Sequence, residues 1–125
     1  NLNMSRNLTA EQKHILYESG TEIPGSSSLL NEKRSGTYVT ADKGLPVFRS
    51  ETKFESGSGW PSFYDAKKEN IIIKKDISNG MIREEVLSTN GEHLGHLFND
   101  GPKPTGLRYC INGLSLKFIP DEEQS

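Results

Sequence analysis

Beyond residue 36 the chain is cut into short runs of β-branched and aromatic residues, with turn-forming residues between them. These are "GTYVT" (36–40), "LPVFRS" (45–50), "NIIIKKDI" (70–77), "IREEVLS" (82–88), "HLGHLF" (93–98) and "LRYCINGLSLKFI" (107–119). Runs of this kind at close spacing, with no helical periodicity between them, predict antiparallel sheets. The one good helix lies before them, over residues 9–19. Thr9 with Gln12 three places on forms a capping-box pattern, and Gly20 supplies a stop. "PGSSSL" (24–29) reads as a loop, and the closing "DEEQS" as a solvated tail. The expected fold is mainly β, an α+β arrangement with one or two short N-terminal helices at the edge of the sheets.

Size and charge narrow the function classes. A chain of 125 residues with 32% hydrophobic content predicts one domain, 1–125, with a thin core. Fifteen basic and 17 acidic side chains leave a net charge of −2, which gives no pull toward nucleic acid or an anionic membrane. The longest apolar runs are three residues, such as Ile71-Ile72-Ile73, far short of a membrane span. "NLNMSRNLTAEQ" has no apolar signal segment. A single cysteine forbids an internal disulfide and a thiolate zinc cluster, and a lone thiol suits a reducing compartment. The expected location is the cytoplasm, and the expected state a monomer.

That cysteine sits in "HLGHLFNDGPKPTGLRYCIN" (93–112), with two of the three histidines. A lone cysteine is commonly a small buried hydrophobe. Strand alternation here turns Leu107, Tyr109 and Ile111 one way and Arg108, Cys110 and Asn112 the other. Cys110 then shares a face with a cation and an amide, which can lower a thiol's pKa and seat a polar substrate. His93 and His96 read as acid–base groups that can protonate a displaced oxygen. As metal ligands they lack a familiar spacing, with Asp100 and one thiol the partners at hand, so no metal is expected. Asp100, four places past His96, can orient a ring or balance its charge. In "GSGWPSFYD" (57–65), Trp60 reads as an exposed indole at a glycine-rich turn, an apolar wall for a methyl or thioether group. Phe63 divides between that wall and a plug in the core. On residues alone, a ligand-gripping module with an incidental cysteine and a peroxide sensor stay open beside a thiol enzyme.

"SETKFESGSGWPSF", "HLGHLFNDGPKPTGLRYCIN" and "LSLKF" together resemble the B-type methionine-R-sulfoxide reductases, over about residues 9–119. The resemblance implies two antiparallel β-sheets in the tent-like arrangement of that family. It implies reduction of the R epimer of methionine sulfoxide, mainly in proteins and peptides, without an organic cofactor. It places the nucleophile on Cys110 and sulfoxide protonation and water binding on His93 and His96. The supporting polar groups would be Asp100, Arg108 and Asn112, and Trp60 the indole that receives the substrate methyl. Many relatives carry zinc on two Cys-x-x-Cys pairs; here those positions are Thr40 and Lys43, Leu87 and Asn90. Many also read "GCGWPSF" where this chain has Ser58, so the resolving position holds a hydroxyl. Thioredoxin or another external thiol would then regenerate Cys110.

Overall fold

The computed structural model describes residues 8–78 and 80–124, so the leader reading of the first residues lies largely outside it. Helix α1 (Ala10–Glu18) begins at the expected capping box: Gln12 N–H donates to Thr9 Oγ1 (3.0 Å), and Thr9 N–H donates to Gln12 Oε1 (2.9 Å). Its end differs from expectation. Ser19, not Gly20, takes the left-handed conformation at φ 56°. Gly20 lies close under the exposed His14 ring, which would have to shift for a Cβ there at 2.4 Å. The loop at 24–29 tightens into a 3-10 turn over Ser28–Asn31, with the Ser27 hydroxyl accepting from Leu29 N–H.

Among the described residues nine strands follow: β1 (Gly36–Thr40), β2 (Pro46–Arg49), β3 (Lys53–Phe54), β4 (Ser62–Phe63), β5 (Ile71–Ser78), β6 (Met81–Ser88), β7 (His93–Phe98), β8 (Arg108–Ile111) and β9 (Leu116–Pro120). They form two antiparallel sheets, β2-β1-β9 and β3-β4-β8-β7-β6-β5. The run at 107–119 is not one strand. A 3-10 turn at Gly113–Ser115 sends β8 into the large sheet and β9 into the small one. The terminal "DEEQS" is not wholly a free tail either, because Asp121 accepts two hydrogen bonds from the Arg49 guanidinium (2.9 and 3.0 Å).

The core lies between the sheets and is built on aromatic rings. Phe48 of β2 stacks on Phe63 of β4 with centroids 4.4 Å apart, and Tyr38 of β1 meets the same ring edge-on at 5.0 Å. Tyr109, Val86, Leu94 and Ile111 complete the inner face of the large sheet. By the two-residue period of a strand, that leaves Cys110 and His96 on its other face.

The turns after β1 and β6 are joined by a buried carboxylate. Glu92 accepts from the Ser88 hydroxyl (2.8 Å) and from Lys43 N–H (3.1 Å) and has no exposed surface. Thr40, Lys43, Leu87 and Asn90, which stand in or next to these turns, carry no thiol. Among the described residues no helix is long and apolar enough to cross a membrane.

Candidate active site

Cross-strand register assembles the site. Ser62 of β4, Cys110 of β8, His96 of β7 and Glu85 of β6 stand opposite one another in a single row. Directly opposed residues share a face, so thiol and imidazole are neighbours by construction. His93 is three residues from His96 and in a regular strand would face the core. A bulge prevents this: Val86 pairs with Gly95 but Leu87 pairs with His93, leaving Leu94 as the extra residue. The bulge turns His93 outward, and the two rings meet at 5.6 Å.

Each ring rests on a carboxylate. His93 Nδ1 lies 2.7 Å from Glu85 Oε2, and His96 Nε2 lies 2.9 Å from Asp76 Oδ2, so each ring has one nitrogen hydrogen-bonded to a carboxylate. Burial holds the His93 pKa below the ordinary histidine value, although Glu85 opposes the shift. The hydrogen bond from His96 holds Asp76 below the usual carboxylate range. Asp100 touches neither ring. It takes Arg108 Nε–H (2.8 Å) and an Arg108 Nη2–H (3.2 Å), while that guanidinium lies 4.4 Å over the Phe98 ring. The carboxylates behind the imidazoles are therefore Glu85 and Asp76, which the sequence reading did not single out.

A pocket of about 100 Å³ opens beside Cys110, walled by Trp60, Phe98, His96, Gly95 and Arg83. Its size suits the end of one side chain. Phe63, one of the two candidates for the apolar wall, is not there. It is fully buried against Phe48 and Tyr38, because β4 turns Ser62 outward and Phe63 inward. Phe98 supplies the second aromatic surface. Asn112 also borders the pocket, but its amide is occupied by the main chain: Oδ1 accepts from Glu22 N–H (3.0 Å) and Nδ2 donates to the Leu94 carbonyl (3.1 Å).

The Cys110 thiol has a net pKa above its ordinary value. Burial raises it more than the Ser58 hydroxyl and the Arg108 charge lower it. Arg108 therefore acts in the expected direction without deciding the sign. Ser58 Oγ lies 3.8 Å from Cys110 Sγ and joins a line of hydroxyls, 2.8 Å to Ser56 and then 2.7 Å to Ser62. No three His, Cys, Asp or Glu side chains cluster as a metal-ligand set among the described residues.

A half-buried thiol, a cross-strand imidazole with its own carboxylate and an aromatic pocket of side-chain size form an arrangement that suits redox chemistry at a thiol, on a two-sheet scaffold. Comparison with known proteins makes that specific, because the SelR domain matches residues 8–120. The chain is 55% identical over 115 residues to the peptide methionine sulfoxide reductase MsrB of Leptospira interrogans, spanning 90% of this chain and 88% of that protein. It is 52% identical over 118 residues to the protein of the same name from Methanosarcina barkeri, spanning 93% and 83%. The chain belongs to the SelR-domain family, the B-type methionine-R-sulfoxide reductases.

Proposed function

We propose that this chain reduces the R epimer of methionine sulfoxide, mainly in proteins and peptides, with Cys110 as nucleophile and His96 as proton donor. The observation that carries the assignment is the direct Cys110–His96 cross-strand pair facing the Trp60 pocket. The methyl and thioether end of the substrate rests on Trp60 and Phe98, which brings the sulfoxide sulfur to Sγ. In the empty site burial favours the neutral thiol, so as the substrate arrives the thiol passes its proton to the His96 ring opposite it. The thiolate attacks sulfur, and the sulfoxide oxygen takes a proton from His96. Asp76 is placed to balance the ring's charge before that transfer. The oxygen passes to Cys110, so methionine sulfoxide and thiol become methionine and a sulfenic acid. His93, turned outward and held by Glu85, lies beside His96 and supports that ring and the water around it.

Ser58 offers no thiol to condense with the sulfenic acid. An external thiol, thioredoxin or a small thiol, attacks it to give a mixed disulfide and water, and a second thiol releases Cys110. No organic cofactor enters. We place this work in the reducing cytoplasm, with the chain acting as a monomer. The test is steady-state reduction of peptides carrying each epimer, with dithiothreitol as reductant. The R-sulfoxide peptide is turned over and the S-sulfoxide peptide is not; equal rates on both would contradict the assignment.

A further inference from the structure

Glu22 is a buried carboxylate beside the site that the chemistry does not use. It is 1% exposed and lies in the segment linking α1 to the 28–31 turn. Its two oxygens accept from Gly113 N–H (2.8 Å) and Leu114 N–H (3.0 Å), at the turn that follows Cys110, Ile111 and Asn112. Burial raises its pKa and those two bonds oppose the rise, so the carboxylate has specific partners and is not merely enclosed. The fit is close: a Cβ at Gly113 would lie 1.8 Å from Ser27 Oγ.

The main chain of the same residue reaches two pocket residues. Glu22 N–H donates to Asn112 Oδ1 (3.0 Å), and the Glu22 carbonyl accepts from the indole Nε1–H of Trp60 (3.1 Å). Trp60 needs such a hold. It follows Gly57 and Gly59, both at positive φ (76° and 97°), in a turn whose main chain is braced by the Ser58 and Ser62 hydroxyls, bonds that do not reach the indole. The link from Gly25 N–H to the Gly59 carbonyl (2.7 Å) fixes the turn, but only the Glu22 carbonyl fixes the indole by a hydrogen bond.

We propose that Glu22 is a positioning residue: its carboxylate clamps its own segment to the turn after Cys110, and through that segment's main chain it orients Trp60 and Asn112 at the pocket. The proposal rests on the reading of Trp60 as the wall that receives the substrate methyl. Glu22→Gln keeps the shape but turns an NH₂ toward one of the two N–H donors, so one bond is lost and a donor–donor contact replaces it. The groups that carry the chemistry, Cys110 and His96, are untouched.

The experiment compares Glu22→Gln with Glu92→Gln, which disturbs a buried carboxylate in the 88–92 turn outside the site. With a methionine-R-sulfoxide peptide and dithiothreitol, Glu22→Gln raises KM about tenfold, the scale of one lost buried hydrogen bond, with kcat changed far less. Trp60 is the only tryptophan. Its emission therefore reports the tether without any turnover, and acrylamide quenches it more in Glu22→Gln than in the parent or in Glu92→Gln. Unchanged KM and quenching, or equal changes in both variants, would reduce Glu22 to a stability role and overturn the proposal. Should Glu22→Gln not fold, hydrogen exchange at Trp60 Nε1–H in the parent carries the test: a protected proton is expected, and an unprotected one overturns the tether. The quenching and exchange arms hold even if the parent reduced no sulfoxide, so failure of the functional reading is separable from failure of this one.

Discussion

At the scale of residues, the account turns on which groups meet Cys110. His96 stands opposite the thiol and walls the pocket, whereas His93 is buried to 2% exposure and does not border it. General-acid assistance is worth ~10²–10⁴-fold. His96→Ala should therefore slow the single-turnover release of methionine by that order while substrate binding changes little. An intact rate from acid to alkaline pH would move the donor role elsewhere. His93 makes a prediction of another kind. Its folded-state pKa is depressed below 6.5, so the unfolded chain binds the proton more readily. Its contribution to stability is complete above the unfolded value and is lost as pH falls through the folded one. Urea midpoints measured downward from pH 6.5 should fall more steeply in the parent than in His93→Gln, by up to about 1.4 kcal/mol per pH unit. Parallel slopes would contradict the buried, neutral ring. Cys110, His96, Arg108 and Trp60 were legible because each sits in a short stretch with its own chemistry. Asp76 and Glu85 were not, because they reach the histidines from β5 and β6, across a hairpin whose register has to be known first. Asp100 is close to His96 in sequence, yet its partner in space is Arg108.

At the scale of elements, one bulge and one close strand approach build the site, and two further features leave little trace in the sequence. The Leu94 bulge brings His93 to the face that carries Cys110, and nothing in "HLGH" announces it, because a three-residue spacing implies opposite faces. Gly95 is the nearest sequence sign. A Cβ there would sit 2.0 Å from the Cys110 carbonyl, so β7 and β8 approach too closely for any side chain. Gly95→Ala must push the two strands apart. Overpacking of this sort costs about 1–3 kcal/mol or more, and here it also separates His96 from Cys110. The expected result is a lower melting temperature together with a loss of turnover that persists well below melting. Full activity in a destabilised Gly95→Ala protein would show that the close approach does not matter for the chemistry. Strands β3 and β4 have two residues each, too short to carry a periodic signal, yet β4 decides that Phe63 belongs to the core. The long run at 107–119 hid a change of sheet because only the Asn112–Gly113 pair interrupts an otherwise β-rich stretch.

At the scale of the whole molecule, the two sheets separate stability from chemistry. The aromatic core occupies the space between them, and the other face of the large sheet carries the row of Ser62, Cys110, His96 and Glu85. That division was readable in outline, as a β fold with a cysteine facing polar neighbours, since strand alternation alone requires it. The carboxylate that links the turns at 40–44 and 88–92 was not readable, because Glu92 looks in sequence like any solvated glutamate. On the proposed function, Cys110 accepts oxygen from an R-sulfoxide and stops there for want of a second thiol. That step is tested most directly by mixing the protein with each epimer of a methionine sulfoxide peptide in the absence of reductant. Released methionine is quantified, and Cys110 is read by mass spectrometry with and without dimedone. With the R epimer the account predicts methionine in one-to-one yield with protein and a dimedone-reactive sulfenic acid on Cys110; with the S epimer it predicts neither. Methionine released while Cys110 stays unmodified, or an equal response to both epimers, would contradict it.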